Sequence, residues 1–142
     1  MIPDFQSHGE LPAGIYETTL EEIRQRLGYN AWRLKLIDGL EAVLANLRSA
    51  GVRRVYLDGS FVTSNRYPGD IDGCWDVDRQ VDVGSLDPVF LDFSSGRQAM
   101  KEKYGVDFFI SQTIEGNSGV PFVEFFQRNR NRESKGILML NL

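Results

Sequence analysis

The 142-residue sequence predicts a single α/β (α+β) domain, in which a mixed β-sheet carries helices packed mainly on one face. Helix-capping residues precede two early segments with helical spacing of apolar side chains. Short apolar runs bounded by glycine or proline follow, as is typical of strands. A chain of this length buries roughly two-thirds of its unfolded surface, which is enough for one core. We therefore expect a helical start followed by an α/β core.

The first residues predict an extended arm. Residues 1–17 contain Pro3, Pro12 and Gly14, which disfavour regular helix. We expect the domain itself to span residues 18–142.

Two capped helices are expected next. Thr18 and Thr19 are each followed three residues later by a glutamate, the capping-box pattern, so the first helix should run to about Leu27. Asn30 is the expected N-cap of a longer helix over residues 31–50, whose leucines and valine share one stripe.

The remaining chain alternates between apolar runs and turn residues. The predicted strands are Val52–Asp58, Asp70–Val77, Gly105–Ser111 and Gly136–Asn141. The predicted helices are a long one at about Leu86–Tyr104 and a short one at Pro121–Gln127. Pro88 lies in the first turn of the long helix, and Ser94-Ser95-Gly96 is a point at which it can break.

The most informative motif lies between the first two of these strands. Gly59-Ser60 follows an apolar strand, and Asp70-Ile71-Asp72 begins the next one. Alternate side chains of a strand share a face, so Asp70 and Asp72 should lie about 7 Å apart on one side. Two such carboxylates can flank one hard divalent cation or bridge a pair of Mg²⁺ ions about 3.5–4 Å apart. Gly59 allows close approach to a phosphate, and Ser60 can open a short helix whose N–H groups favour an anion.

This motif resembles the signature of the nucleotidyltransferase superfamily, the group related to DNA polymerase beta. Strings such as Leu-Asp-Gly-Ser-Phe-Val-Thr, Pro-Gly-Asp-Ile-Asp-Gly-Cys-Trp and the terminal Lys-Gly-Ile-Leu are similar to a small bacterial family grouped with it. The resemblance implies a minimal nucleotidyltransferase fold and Mg²⁺ (or Mn²⁺) at Asp70 and Asp72. It also implies transfer of a nucleoside monophosphate from a nucleoside triphosphate, with pyrophosphate leaving. Related minimal members are often encoded beside a toxin partner.

Asp107 lies in the apolar run Val106-Asp107-Phe108-Phe109-Ile110. A lone buried charge costs several kcal/mol unless a metal or a partner compensates it. The superfamily carries its third metal-binding carboxylate on a strand beside the Asp-x-Asp strand, and Asp107 matches that position. The alternative interpretation is an aspartate paired with an arginine.

Basic and hydroxyl side chains supply further candidates. After Gly59-Ser60 this chain has Phe61, where many active members carry a basic or small residue. Phe61 is expected to pack in the core, while Thr63 and Arg66 remain candidates for phosphate contact. A second group of candidates forms a basic segment that either contacts substrate or nucleic acid or is a solvated hairpin turn. Its members are Arg128, Arg130, Arg132 and Lys135.

Composition excludes several other classes. A net charge of −4 argues against bulk coating of nucleic acid, although local contact stays open. His8 is the single histidine, so Ser-His-Asp catalysis and histidine-rich zinc sites lack their parts. The one cysteine, Cys74, cannot form an internal disulfide, and no membrane span or signal peptide is evident, so we expect a cytoplasmic protein.

Two functions remain open from the sequence. The first is nucleotidyl transfer to a protein or RNA acceptor, in a toxin–antitoxin-like setting. The alternative is a catalytically inactive module of the same fold, acting as an antitoxin-like or regulatory partner. The chain lacks the C-terminal helical domain of larger members, so a protein partner or a homodimer could complete the site.

Overall fold

A computed structural model describes residues 1–142 as one mixed sheet with four helices. The strands are β1 (Gly14–Thr18), β2 (Arg54–Asp58), β3 (Ile71–Trp75), β4 (Val106–Ile110) and β5 (Gly136–Asn141). The helices are α1 (Leu20–Leu27), α2 (Ala31–Ser49), α3 (Gln98–Tyr104) and α4 (Phe122–Phe125). This arrangement confirms the predicted α+β class with a mixed sheet.

The strand order is β1-β5-β2-β3-β4. β2 is antiparallel to both of its neighbours, β5 and β3, while β1 pairs with β5 and β3 pairs with β4 in parallel. The chain therefore turns directly from β2 into β3, and returns through α3 before it forms β4. This topology places the end of β2 and the starts of β3 and β4 side by side.

The two long helices begin where their capping residues predict. The Thr19 side chain accepts from the Glu22 N–H at 3.1 Å and caps α1. The Asn30 side chain accepts from the Arg33 N–H at 2.8 Å and caps α2. Because each cap satisfies an otherwise unpaired N–H, the helix starts are fixed locally by sequence.

The main core lies between the sheet and helices α1, α2 and α3. Val55, Leu57 and Phe108 from the strands meet Ile37 and Leu40 of α2 there, all fully buried. The opposite face carries a smaller cluster beneath α4, made by Tyr56, Cys74, Phe126 and Ile137. Strand residues alternate between these two clusters, as the pleat requires. No helix has the length and apolar character that a membrane crossing needs.

Two sequence predictions need correction. The long helix predicted at Leu86–Tyr104 is wrong, since only Gln98–Tyr104 is α-helical and the residues before it form two short 3-10 turns, Pro88–Leu91 and Ser94–Gly96. Pro88 begins one of these turns, and Ser95 and Arg97 adopt positive φ angles of 51° and 64°, which interrupt helical hydrogen bonding.

The N-terminal segment is also more integrated than the predicted arm. Ile2 and Leu11 are 0% and 1% exposed and join the main core. The backbone N–H of Ile2 donates to the Glu22 carboxylate at 3.0 Å. Residues 14–18 form β1 at the sheet edge, so part of the expected arm is a strand of the domain.

Candidate functional site

Three aspartates from adjacent strands meet on the face of the sheet that lies opposite α1–α3. Asp58 of β2 pairs in register with Asp72 of β3, and Asp72 pairs with Asp107 of β4. Register partners point to the same face, so the three carboxyl groups form a row across the sheet. Asp70 precedes β3 by one residue and adds a fourth carboxyl group. The strand register itself thus assembles the acidic cluster, defined here as Asp58, Asp70, Asp72 and Asp107.

Three members of the acidic cluster have the spacing of a metal site. Asp70, Asp72 and Asp107 each offer a carboxylate oxygen, and these oxygens lie within 4.8 Å of one another. Burial, followed by the charge and hydrogen bond of Asp70, raises the pKa of Asp72 to about 8. Burial and the neighbouring carboxylates therefore both favour the protonated form of Asp72 in the metal-free protein. A hard divalent cation would also relieve the repulsion between these carboxylates, and the oxygen donor set fits such a cation.

The turn after β2 leaves room for this cluster. Gly59 adopts a φ of 78°, and a Cβ atom built at this position would lie 2.2 Å from Asp72 Oδ2. Any larger residue would therefore displace the Asp72 carboxylate. Ser60 then begins a short 3-10 turn, Ser60–Val62, and Phe61 is fully buried as predicted. Gly59 is thus required both by the backbone angle and by the neighbouring carboxyl group.

A polar cleft of about 740 Å³ opens beside the acidic cluster and reaches it through Asp72. None of the residues that line it is hydrophobic. The lining residues are His8, Glu10, Gly59, Ser60, Thr63, Asp72, Arg128, Asn129, Arg130, Asn131, Glu133 and Lys135. We call this space the aspartate cleft.

The basic segment forms a hairpin whose residues line the aspartate cleft, as the hairpin interpretation predicts, and its contact with substrate or nucleic acid stays a prediction. Arg128 and Ser134 make an isolated antiparallel bridge, and the intervening residues are largely exposed. Arg128, Arg130 and Lys135 line the aspartate cleft, whereas Arg132 lines a neighbouring cleft of about 1050 Å³. The hairpin therefore brings positive charge to the opening through which Asp72 is reached.

Lys135 connects this hairpin to the sheet. Its ammonium group forms an ion pair with Asp58, and the two side chains are only 11% and 7% exposed. Burial raises the pKa of the Asp58 carboxyl, and the Lys135 charge opposes that shift. Asp58 was not among the site residues predicted from sequence, although it directly precedes Gly59.

Asp107 is not a free carboxylate. The guanidinium of Arg97 forms a two-point ion pair with it, and Nη2 lies 3.3 Å from Oδ2. Lys101 Nζ lies 3.5 Å from the same oxygen. The alternative interpretation from sequence, an aspartate paired with an arginine, therefore describes the contact that the structure contains. Neither Arg97 nor Lys101 was predicted, because their contact with Asp107 is a tertiary contact that the local sequence does not reveal.

The last two phosphate candidates occupy different positions. Thr63 lines the aspartate cleft, and its hydroxyl donates to the Ser60 carbonyl at 2.7 Å. Arg66 lies on the exposed loop between β2 and β3 and is not among the lining residues. Thr63 is thus the better placed of the two.

Comparison with known proteins supports a family assignment over nearly the whole chain. Residues 3–141 match the model of a family described as a family of unknown function, DUF6932. This chain belongs to the DUF6932 family. No curated protein and no solved structure matches the chain. For this DUF6932 member, the site geometry is therefore the main basis for a functional proposal.

Proposed function

We propose that this protein is a Mg²⁺-dependent (or Mn²⁺-dependent) nucleotidyltransferase. The observation that carries this proposal is that carboxylates and basic side chains lie together at the aspartate cleft. Asp72, one of three carboxylates that lie within 4.8 Å of one another, lines a polar cleft that Arg128, Arg130 and Lys135 also line. A nucleoside triphosphate with its divalent cation needs both kinds of group at once.

In this proposal, different residues bind the cation and contact the phosphate groups. Asp70 and Asp72 hold the cation, with Asp107 as the third carboxylate of the cluster. Gly59 and Ser60 form the turn against which phosphate lies, and Thr63 holds that turn. The bound cation would neutralise phosphate charge during in-line attack of an acceptor hydroxyl at the α-phosphate, which releases pyrophosphate.

The acceptor side is open to a macromolecule. The aspartate cleft has no apolar lining, and the larger cleft beside the hairpin shares Arg128 and Lys135 with it while adding Phe125. A protein or RNA acceptor carrying a hydroxyl group fits this placement, and a partner encoded nearby is the natural candidate. We expect the reaction to take place in the cytoplasm.

Calorimetric titration of each of the four nucleoside triphosphates, with and without Mg²⁺, tests this proposal. Wild type should bind at least one of them in a metal-dependent manner, and Asp70→Asn plus Asp72→Asn should abolish that binding. Asp76→Asn plus Asp78→Asn is the matched control, since it removes the same charge at the same spacing beyond β3. A flat trace for all four nucleotides would contradict the proposal.

A second candidate function is an inactive interaction module. The observation that favours it is the ion pair of Asp107 with Arg97 and Lys101, which gives this carboxylate partners without a metal. Such a module should retain its partner in the Asp70→Asn plus Asp72→Asn variant. A pull-down of the neighbouring gene's product with wild type and with the Asp70→Asn plus Asp72→Asn variant tests whether the variant keeps its partner.

A further inference from the structure

Arg97 places a permanent positive charge inside the acidic cluster. Its guanidinium contacts both oxygens of Asp107, through Nε and Nη2. Two-point arginine–carboxylate pairs have fixed geometry and are stronger than single hydrogen bonds. The contact is sheltered, since the Arg97 and Asp107 side chains are 24% and 13% exposed.

Two further contacts hold Arg97 in this position. The guanidinium carbon lies 4.4 Å from the centre of the Phe109 ring, on the same face of β4 as Asp107. Phe109 is itself stacked on Phe122 of α4, with ring centroids 4.0 Å apart. A guanidinium over an aromatic face gains a cation–π contact that a hydrated metal ion would not replace. Arg97 is therefore bound on two sides, by a carboxylate and by a fixed ring.

These contacts divide the acidic cluster into two unequal parts. Asp70 and Asp72 have no cationic partner within 4.0 Å, whereas Asp107 has Arg97 and Lys101. A second divalent cation at Asp107 would have to displace Arg97 or lie beside two positive charges. Both are unfavourable in a part-buried site, where charges are weakly screened.

We propose that Arg97 takes the place of a second metal ion, so that this site binds one divalent cation, between Asp70 and Asp72. The inference rests on the proposed function and specifies its metal stoichiometry. Because the guanidinium is covalently part of the chain, this positive charge is present at any metal concentration. Arg97 is then a positioning residue, which fixes Asp107 and keeps it from the metal.

The test is a titration with Mn²⁺ alone, in which free Mn²⁺ is counted by its electron paramagnetic resonance signal. Wild type should bind one ion per chain. Arg97→Gln plus Lys101→Gln should bind two, because Asp107 is then free. The matched control is Arg48→Gln plus Arg79→Gln, two exposed arginines without a carboxylate partner within 4.0 Å, which should still bind one.

Asp107→Asn gives an independent readout that does not depend on how well the double variant folds. The inference predicts one bound ion with affinity within about threefold of wild type, since Asp107 is not a ligand. A loss of tenfold or more would overturn it, as would two ions in wild type or one ion in the double variant at Arg97 and Lys101. Wild type that binds no Mn²⁺ would instead remove the proposed function, and this inference with it.

Discussion

At the residue scale, Asp72 is the group whose charge depends most on its surroundings. It lies between Asp58 and Asp107 in the strand register and two residues from Asp70. Burial and these neighbours raise its pKa to about 8, from an ordinary value of 3.8. Between pH 3.8 and about pH 8, the folded chain therefore keeps a proton on Asp72, whereas the unfolded chain does not.

This difference predicts how stability changes with pH in the metal-free protein. Because the folded state binds more protons, the contribution of Asp72 to stability is full below pH 4 and is lost as pH rises to about 8. Asp72→Asn should therefore be more stable than wild type at pH 8.5, by at least about 1.4 kcal/mol, the value of one pKa unit. Urea unfolding of wild type and Asp72→Asn at pH 5.5 and at pH 8.5 measures this difference in the free energy of unfolding and how it changes with pH. Equal pH dependence in the two proteins would refute the assignment.

Lys135 is the second residue with a large expected effect. Its removal leaves the Asp58 carboxylate buried without a partner, which typically costs about 3–5 kcal/mol. Lys135→Met should therefore lower the free energy of unfolding strongly. Adding Asp58→Asn should restore most of the loss, since the buried charge is then gone. A purely additive double variant in urea unfolding would show that the pair does not interact.

At the element scale, the start of α2 determines the shape of the loop between β2 and β3. Arg33 is fully buried, and its guanidinium donates to the carbonyls of Phe61, Thr63 and Asn65 at 2.6–3.1 Å. Trp32 Nε1 donates to the Pro68 carbonyl at 2.6 Å. A helix thus holds the loop that joins the Gly59-Ser60 turn to Asp70.

Arg33→Met should detach this loop. The variant leaves several buried carbonyls without donors, each of which costs about 1–3 kcal/mol, so we expect strong destabilisation. Before global unfolding, the amides of residues 61–67 should exchange hydrogen faster than in wild type. Arg48→Met, an exposed arginine near the end of α2, is the control and should leave exchange in the loop unchanged. Unchanged loop exchange in Arg33→Met would contradict this role.

Local signals predicted some elements and not others. Thr19 and Asn30 marked the helix starts because capping depends on residues within one turn. The strand β1 was missed because its pairing with β5 joins residues more than 120 positions apart, which no local pattern records. The distance in sequence also explains which parts of the candidate site could be predicted. Gly59, Asp70 and Asp72 lie in one short segment and were found, whereas the partners of Asp58 and Asp107 depend on tertiary contacts.

At the scale of the whole molecule, the main core and the acidic cluster lie on opposite faces of the sheet. Helices α1–α3 cover one face of the sheet with the main core, and the opposite face carries the acidic cluster beside the small aromatic cluster under α4. Although the net charge of the chain is −4, carboxylates and arginines lie close together at one cleft. We propose that Asp70 and Asp72 bind a divalent cation beside this cleft, which Asp72 lines.

Selective broadening of backbone amide signals by Mn²⁺, in nuclear magnetic resonance spectra of the 142-residue chain, tests that claim most directly. We expect that substoichiometric Mn²⁺ first broadens the signals of Gly59, Ser60 and residues 70–73. Asp70→Asn plus Asp72→Asn should show no selective broadening, while Asp76→Asn plus Asp78→Asn should behave as wild type. Broadening centred elsewhere, or broadening that persists in the Asp70→Asn plus Asp72→Asn protein, would show that Asp70 and Asp72 do not hold the cation.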